Sequence, residues 1–288
     1  MREREVREIV TPTAASDGAG VRLRRSIATP RLDHLDPFFL FDHFGSENAD
    51  DYIAGFPMHP HRGIETITYV LDGSVAHRDS LGNSGVIGAG DVQWMTAGSG
   101  ILHEEMPKAG PRRLDGFQVW VNLPRKLKMT PPRYQDVPAA RIPEVVRADG
   151  ARVRVVAGDV DGTPGAVREI FADPTYLDVA LPAGGSFEQA VPRGHTGLLY
   201  VFQGEVAVGG PGVARGTVVP AVRLAVLTDG DVVRVHAGPA PARFLLLSAQ
   251  PLDEPAVRYG PFVMNTRQEI EQALRELHEG TFVKSPPP

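Results

Sequence analysis

The sequence predicts an all-β fold of two tandem antiparallel barrels, closed by one C-terminal α-helix. Three observations predict it. Short β-branched runs such as ETITYVLDG, GVIGAGDVQWM and LDGFQVWVNL recur along the chain, each ended by turn residues. YVLDG (69–73) returns as YVFQG (200–204), and each is followed by a Gly-Asp-Val step, Gly90-Asp91-Val92 and Gly230-Asp231-Val232. Helical periodicity is confined to residues 265–280.

The strands come first. In the early half the runs are GFPMHPH, ETITYVLDG, GVIGAGDVQWM and LDGFQVWVNL; in the later half, YLDVALPAGG, GLLYVFQGEVAVGG, GDVVRVHAG and RFLLLSAQ. A repeated strand set implies duplicated β modules. The Pro-rich stretch TPPRYQDVPAARIPE (130–144) lies between the copies and reads as a connection. This places an N-terminal barrel over residues 1–135, a linker over 136–144 and a C-terminal barrel over 145–288. The helix belongs to the C-terminal barrel in this division. Thr266 and Glu269 fit a capping box, Ile270, Ala273, Leu274 and Leu277 form one apolar stripe, and Gly280 stands where the helix should stop. KSPPP after it reads as a loose tail.

Composition narrows the function. The 288 residues contain no cysteine, which excludes disulfides, thiolate nucleophiles and cysteine zinc sites. Any metal must use His, Asp or Glu. A net charge of -5 argues against general nucleic-acid binding, and the basic runs RLRR (22–25) and PRKLK (124–128) read as solvated faces. No window approaches the roughly 20 apolar residues of a membrane-spanning helix, and MREREVREIV has no apolar leader core. The expectation is a cytoplasmic protein, without membrane contact.

Two short motifs carry chemistry. Side chains at i and i+2 of a strand share a face, so in GFPMHPHRGIET His59 and His61 project together while Pro60 points away. In GILHEEMP, His103 and Glu105 share a face in the same manner, with Glu104 pointing out. Two such strands facing one barrel interior assemble a three-His, one-Glu set suited to a divalent first-row metal with open positions. Pro60 belongs at an edge or bulge, where its fixed torsion stiffens the segment. Trp94, Met95, Met106, Phe117 and Trp120 are candidates for the wall of the same cavity, although such residues in a β core usually just pack.

The second copy lacks the set. Aligning Tyr69 with Tyr200 puts Ala190, Pro192 and Thr196 where His59, His61 and Glu65 stand. Aligning Gly90 with Gly230 puts Arg243 and Leu245 where His103 and Glu105 stand. His195, His236 and His43 are then structural.

These motifs, with LDPFFLFDHFG (35–45), FQVWVNLP and GPFVMNTRQEIEQA (260–273), closely resemble the pirin family of the cupin superfamily. The resemblance spans nearly the whole chain. It implies two tandem jelly-roll barrels and one mononuclear metal in the first, usually iron, held by His59, His61, His103 and Glu105. Fe(II) is expected, with Mn, Ni, Co, Cu and Zn compatible with the same ligands. Glu65, a ligand in many other cupins, is expected outside the ligand set, orienting a water or an imidazole, or else paired with a base such as Arg62. The resemblance further implies a quercetin 2,3-dioxygenase-type activity that opens a flavonol with O₂ and releases carbon monoxide, with Glu105 as ligand and base and Glu65 in reserve. Its alternative is a metal- and redox-dependent regulator acting through a protein partner. A monomer is expected in either case.

Overall fold

The structure is a computed structural model, described for residues 1–110, 113–210 and 216–284. Most of it is strand, and α1 below is the α-helix among the described residues. No described helix is long and apolar enough to cross a membrane. The chain opens with β1 (Glu3–Arg4) and β2 (Val6–Val10), neither of which joins the strands that follow directly.

The first barrel is built from β3 (Thr13–Asp17), β4 (Val21–Ile27), β5 (Phe38–Ser46), β6 (Phe56–His61), β7 (Ile64–Asp72), β8 (Val75–Asp79), β9 (Ser84–Ile87), β10 (Val92–Thr96), β11 (Ile101–Pro107), β12 (Leu114–Asn122) and β13 (Arg133–Val137). One antiparallel sheet runs β13-β10-β7-β12-β5-β4-β3 and the other β6-β11-β8-β9. Val21, Leu23, Phe44, Val70 and Leu114 from the large sheet pack against Val75 and Ile87 from the small one. Both faces of β7 are buried, which explains its unbroken run of β-branched and aromatic residues.

The second barrel repeats the plan with β14 (Glu144–Val146), β15 (Arg152–Ala157), β16 (Asp159–Val160), β17 (Thr163–Pro164), β18 (Thr175–Leu181), β19 (Ser186–Ala190), β20 (Thr196–Gln203), β21 (Glu205–Val208), β22 (Thr217–Pro220), β23 (Arg223–Leu227), β24 (Val232–Ala237) and β25 (Ala242–Ala249). Its large sheet runs β14-β15-β18-β25-β20-β23-β2, and β24 carries β1, β19 and β21 in the other. Val153, Leu177, Leu199, Val233, Val235 and Phe244 fill its interior. The chain then forms the hairpin β26 (Val257–Tyr259) and β27 (Phe262–Met264), and ends in α1 (Arg267–His278). The capping box forms as expected: Thr266 Oγ1 accepts from Glu269 N at 3.2 Å, and Glu269 Oε2 accepts from Thr266 N at 2.8 Å. Ile270 and Ala273 are buried, but Leu274 is 36% exposed, and Glu276 is the buried residue one position before Leu277. Of KSPPP, residues 285–288 lie outside the described residues.

The chain divides differently from the boundaries drawn at 135 and 145. One unit is Met1–Pro12 with Ala140–Pro251; the other is Thr13–Ala139 with the chain from Leu252 onward. Sheet edges explain the division. β2 pairs with β23, and within the expected connection β13 fills the corresponding edge on β10. At the other end, Val263 N donates to Arg62 O at 3.1 Å, which draws β27 and α1 to the first barrel. The two terminal segments are thus exchanged relative to sequence order.

Lys128 secures that return. The run PRKLK is not uniformly solvated: Lys128 is 1% exposed, and its Nζ donates to Gly63 O (2.9 Å), Asn122 Oδ1 (2.6 Å) and Val263 O (2.6 Å). Burial lowers its pKa to about 7. Lys128→Met removes the ammonium from three buried acceptors, of which Gly63 O keeps Leu123 N at 3.2 Å, and a loss of about 2 kcal/mol is expected from a denaturant midpoint. An unchanged midpoint would show that the clamp carries no stability.

Candidate metal centre

β6 is an edge strand, with β11 as its neighbour in the sheet, so Pro57 and Pro60 cost it little pairing. Register sets His59 opposite His103 and His61 opposite Ile101. The register then slips, so that Glu105 faces Phe56. This bulge follows the histidines and bends the ladder where side chains must converge. Pro60 lies at an edge beside a bulge, as its chemistry requires.

Three imidazoles meet. One ring nitrogen each from His59, His61 and His103 lies within 4.8 Å of the others. His59 Nδ1 is 2.9 Å from Pro57 O, and His61 Nδ1 is 3.3 Å from Pro261 O, so both Nδ1 atoms act as donors. In the neutral rings each Nε2 then carries a lone pair. Those two Nε2 atoms stand 3.1 Å apart. Two lone pairs at that distance repel unless the rings share a proton or a metal cation. His103 is 1% exposed, and neither of its ring nitrogens has a hydrogen-bond partner among the described residues. Burial, reinforced by the neighbouring imidazoles, holds His61 and His103 well below the ordinary histidine pKa. Neutral rings with unclaimed lone pairs fit a divalent metal.

Glu105 stands outside the three-nitrogen group but lines the same cavity, which has a volume of about 560 Å³. Thr68 Oγ1 is 2.9 Å from Glu105 Oε1 and 2.7 Å from the Gln118 side-chain amide oxygen. One hydroxyl hydrogen cannot serve both. Turning the Gln118 amide over resolves this: Gln118 donates to Thr68, and Thr68 donates to Glu105. Glu105 Oε2 has no hydrogen-bond partner among the described residues.

Glu65 does not share this space. Register pairs it with Thr96 and Val121, whereas Thr68 pairs with Gln118, one residue out of phase. Thr96 Oγ1 donates to Glu65 Oε1 at 2.7 Å, and Glu65 is fully buried on the face that carries Ile67 and Tyr69. The expected role as orienter of a cavity water or reserve base does not match this placement. Nor does it pair with Arg62, which instead meets Glu276 at 2.7 Å and donates to Phe282 O at 2.9 Å, over the Phe282 ring. Arg62 follows His61 directly, so α1 and its exit loop brace the strand that carries both histidines.

The family model described as Pirin matches residues 20–121, and the Pirin C-terminal cupin domain matches residues 176–283. The chain belongs to the pirin family. Human pirin is 44% identical over 262 residues, covering 90% of this chain and 87% of that protein. A Pseudomonas aeruginosa protein, provisionally named a quercetin 2,3-dioxygenase, is 47% identical over 287 residues, covering 98% of this chain and 99% of its own length. A crystal structure of quercetin 2,3-dioxygenase from Acinetobacter baumannii has a TM-score of 0.86 at 34% identity, covering 97% of this chain and 98% of that one.

The second pirin barrel shows why one copy holds the cluster. Strand pairing equates β24, not β25, with β11, because β24 carries β19 and β21 as β11 carries β6 and β8. Arg243 and Leu245 lie on β25, so the ungapped alignment through Gly90 and Gly230 compared the wrong strands. The buried positions of β19 and β24 are Phe187, Gln189, Val232, Val233, Val235 and Ala237. These supply no imidazole or carboxylate, so the conclusion that this barrel lacks the set stands on a different comparison. Among the described residues, the three histidines of the first barrel form the single such group.

Sequence parity missed several cavity residues. Thr68 and Gln118 were within reach of the same rule, as polar residues inside buried strands. Arg25 was not, because RLRR read as solvated. Arg22 is exposed, but Arg25 lines the cavity, with Nε and Nη2 on Asp42 (2.8 and 2.6 Å) and Nη2 also on Asp17 (2.6 Å). Burial raises Asp42 to about 6 despite that partner. Of the five apolar wall candidates, Trp120 lines the cavity; Met95 packs in the core with Phe39 and Ile64, and Trp94, Met106 and Phe117 are absent from the wall.

The depressed histidines set a pH dependence. Below the ordinary value of 6.5 the unfolded chain binds protons that folded His61 and His103 refuse, so stability is lost as pH falls. The denaturant midpoint of metal-free protein is expected to drop from about pH 7 to about pH 5, and His103→Asn to flatten that slope. A wild-type midpoint that rises on acidification would contradict the neutral cluster.

Proposed function

We propose that this pirin is a mononuclear metal-dependent oxygenase of the quercetin 2,3-dioxygenase type, with His59, His61, His103 and Glu105 holding one divalent transition metal, Fe(II) foremost. The observation that carries this reading is the convergence of neutral imidazole lone pairs at the wall of a cavity large enough for a three-ring aromatic. The related proteins that bear the quercetin dioxygenase name support it. A bound metal would supply Lewis acidity toward the flavonol oxygens and a path for electrons.

The chain's own groups do the rest. Pro57 O and Pro261 O fix the tautomers of His59 and His61, leaving Nε2 to coordinate. The Gln118–Thr68 pair holds Glu105 Oε1, so Oε2 is the oxygen that coordinates or takes the 3-hydroxyl proton of the substrate. Leu40, Phe44, Phe56 and Trp120 exclude water from the remainder of the substrate.

Purified protein grown with ample iron is expected to contain about one metal per chain, to consume quercetin with O₂ and to release carbon monoxide. His61→Ala is expected to lose both metal and turnover while keeping its strand circular dichroism. Metal-free wild type would sink the proposal. A full complement of metal without flavonol turnover would replace the enzyme with the redox-dependent regulator.

A further inference from the structure

The first-barrel cavity has a second polar region, formed by Asp17, Arg25, Asp42 and Arg258. Its two arginines differ. Arg25 is saturated, holding Asp42 through two nitrogens and Asp17 through one. Arg258, on β26, has no carboxylate within ion-pairing distance among the described residues. Its Nη1 donates to Phe39 O at 3.2 Å, and its Nε reaches Gly260 O at 3.4 Å, which leaves the other guanidinium hydrogens unclaimed. The guanidinium stacks over the Trp120 ring at 5.3 Å, and Trp120 meets the His61 ring edge-on at 4.9 Å. These two separations bound the guanidinium within about 10 Å of the His61 ring. Burial and then Arg25 weigh against its charge, while Asp33, Asp42 and Asp17 favour it from beyond ion-pairing distance. A half-buried cation with free, fixed donors beside an aromatic wall is a built anion site.

We propose that Arg258 recognises an anionic oxygen on the cavity's occupant, remote from the oxygens that face the histidines. This rests on the oxygenase reading for the histidine end, and it narrows the substrate to planar aromatics bearing an acidic group, a carboxylate or an ionised phenol, on the far ring. Trp120 supplies the stacking surface between the two ends. Arg258 thereby sets specificity without touching the reacting atoms.

The test is binding, measured without oxygen so that turnover plays no part. The probes are 3-hydroxyflavone and its 4′-carboxylate, titrated into metal-free and metal-loaded protein by quenching of tryptophan fluorescence. Wild type is expected to favour the carboxylate by about tenfold or more in both forms. Arg258→Gln should erase the preference while changing the affinity for neutral 3-hydroxyflavone less than about twofold, and Arg258→Lys should keep part of it. Equal affinity for the two probes in wild type would overturn the proposal, as would a preference that survives Arg258→Gln. Equal weakening of both probes in Arg258→Gln, unrelieved by lysine, would also overturn it and make the residue a prop for Trp120. Failure of flavonol turnover with the binding preference intact would remove the oxygenase reading and leave the anion site standing.

Discussion

Two imidazole nitrogens stand 3.1 Å apart in the first barrel, and facing lone pairs at that distance are unfavourable unless the two rings share a proton or a cation. The proton of each ring is committed to a backbone carbonyl, so the rings cannot relieve the repulsion by changing tautomer without leaving that carbonyl unpaired. Burial blocks the other escape, protonation, for His61 and His103. A bound divalent cation satisfies all three constraints together. The bulge after His103, the two prolines of β6 and the ionic brace on Arg62 all hold that strained assembly in place.

The brace comes from a part of the chain far from the histidines in sequence. Pro261, Phe282 and Glu276 act on His61 and Arg62. A strand with one neighbour and two prolines has weak pairing of its own, and the C-terminal segment compensates by covering it. Glu276 on α1 is accordingly buried at a position where the apolar stripe alone would have ended at its neighbours.

What could be read in the sequence follows the range of each interaction. Side-chain parity is local, and it picked out the three histidines whose ring nitrogens cluster, together with Glu105, which lines the cavity beside His59 and His61. Glu65, four residues beyond His61, lies outside that parity because Gly63 interrupts the strand. Gly63 takes φ +79°, and a Cβ there would lie 2.1 Å from Val263 O, so the alternation restarts on the far side of the turn. Arg25, Arg258 and Lys128 were out of reach because their burial depends on register between strands distant in sequence. The exchange of terminal segments was equally hidden, since an unpaired sheet edge shows nothing in sequence of which strand will fill it. The absence of the set from the second barrel was legible in outline, but the Gly-Asp-Val step precedes β10 in one barrel and β24 in the other, so the repeat of that motif pointed to the wrong strand.

Ribosomal synthesis meets this exchange in a fixed direction. By the time residue 251 has been made, β1 and β2 have their partners in the second barrel, while His59, His61 and His103 have long been waiting. Pro261 O, the acceptor that holds His61 in its coordinating tautomer, and the Glu276 partner of Arg62 arrive last. The barrel that is encoded first is therefore completed by segments encoded after the second barrel.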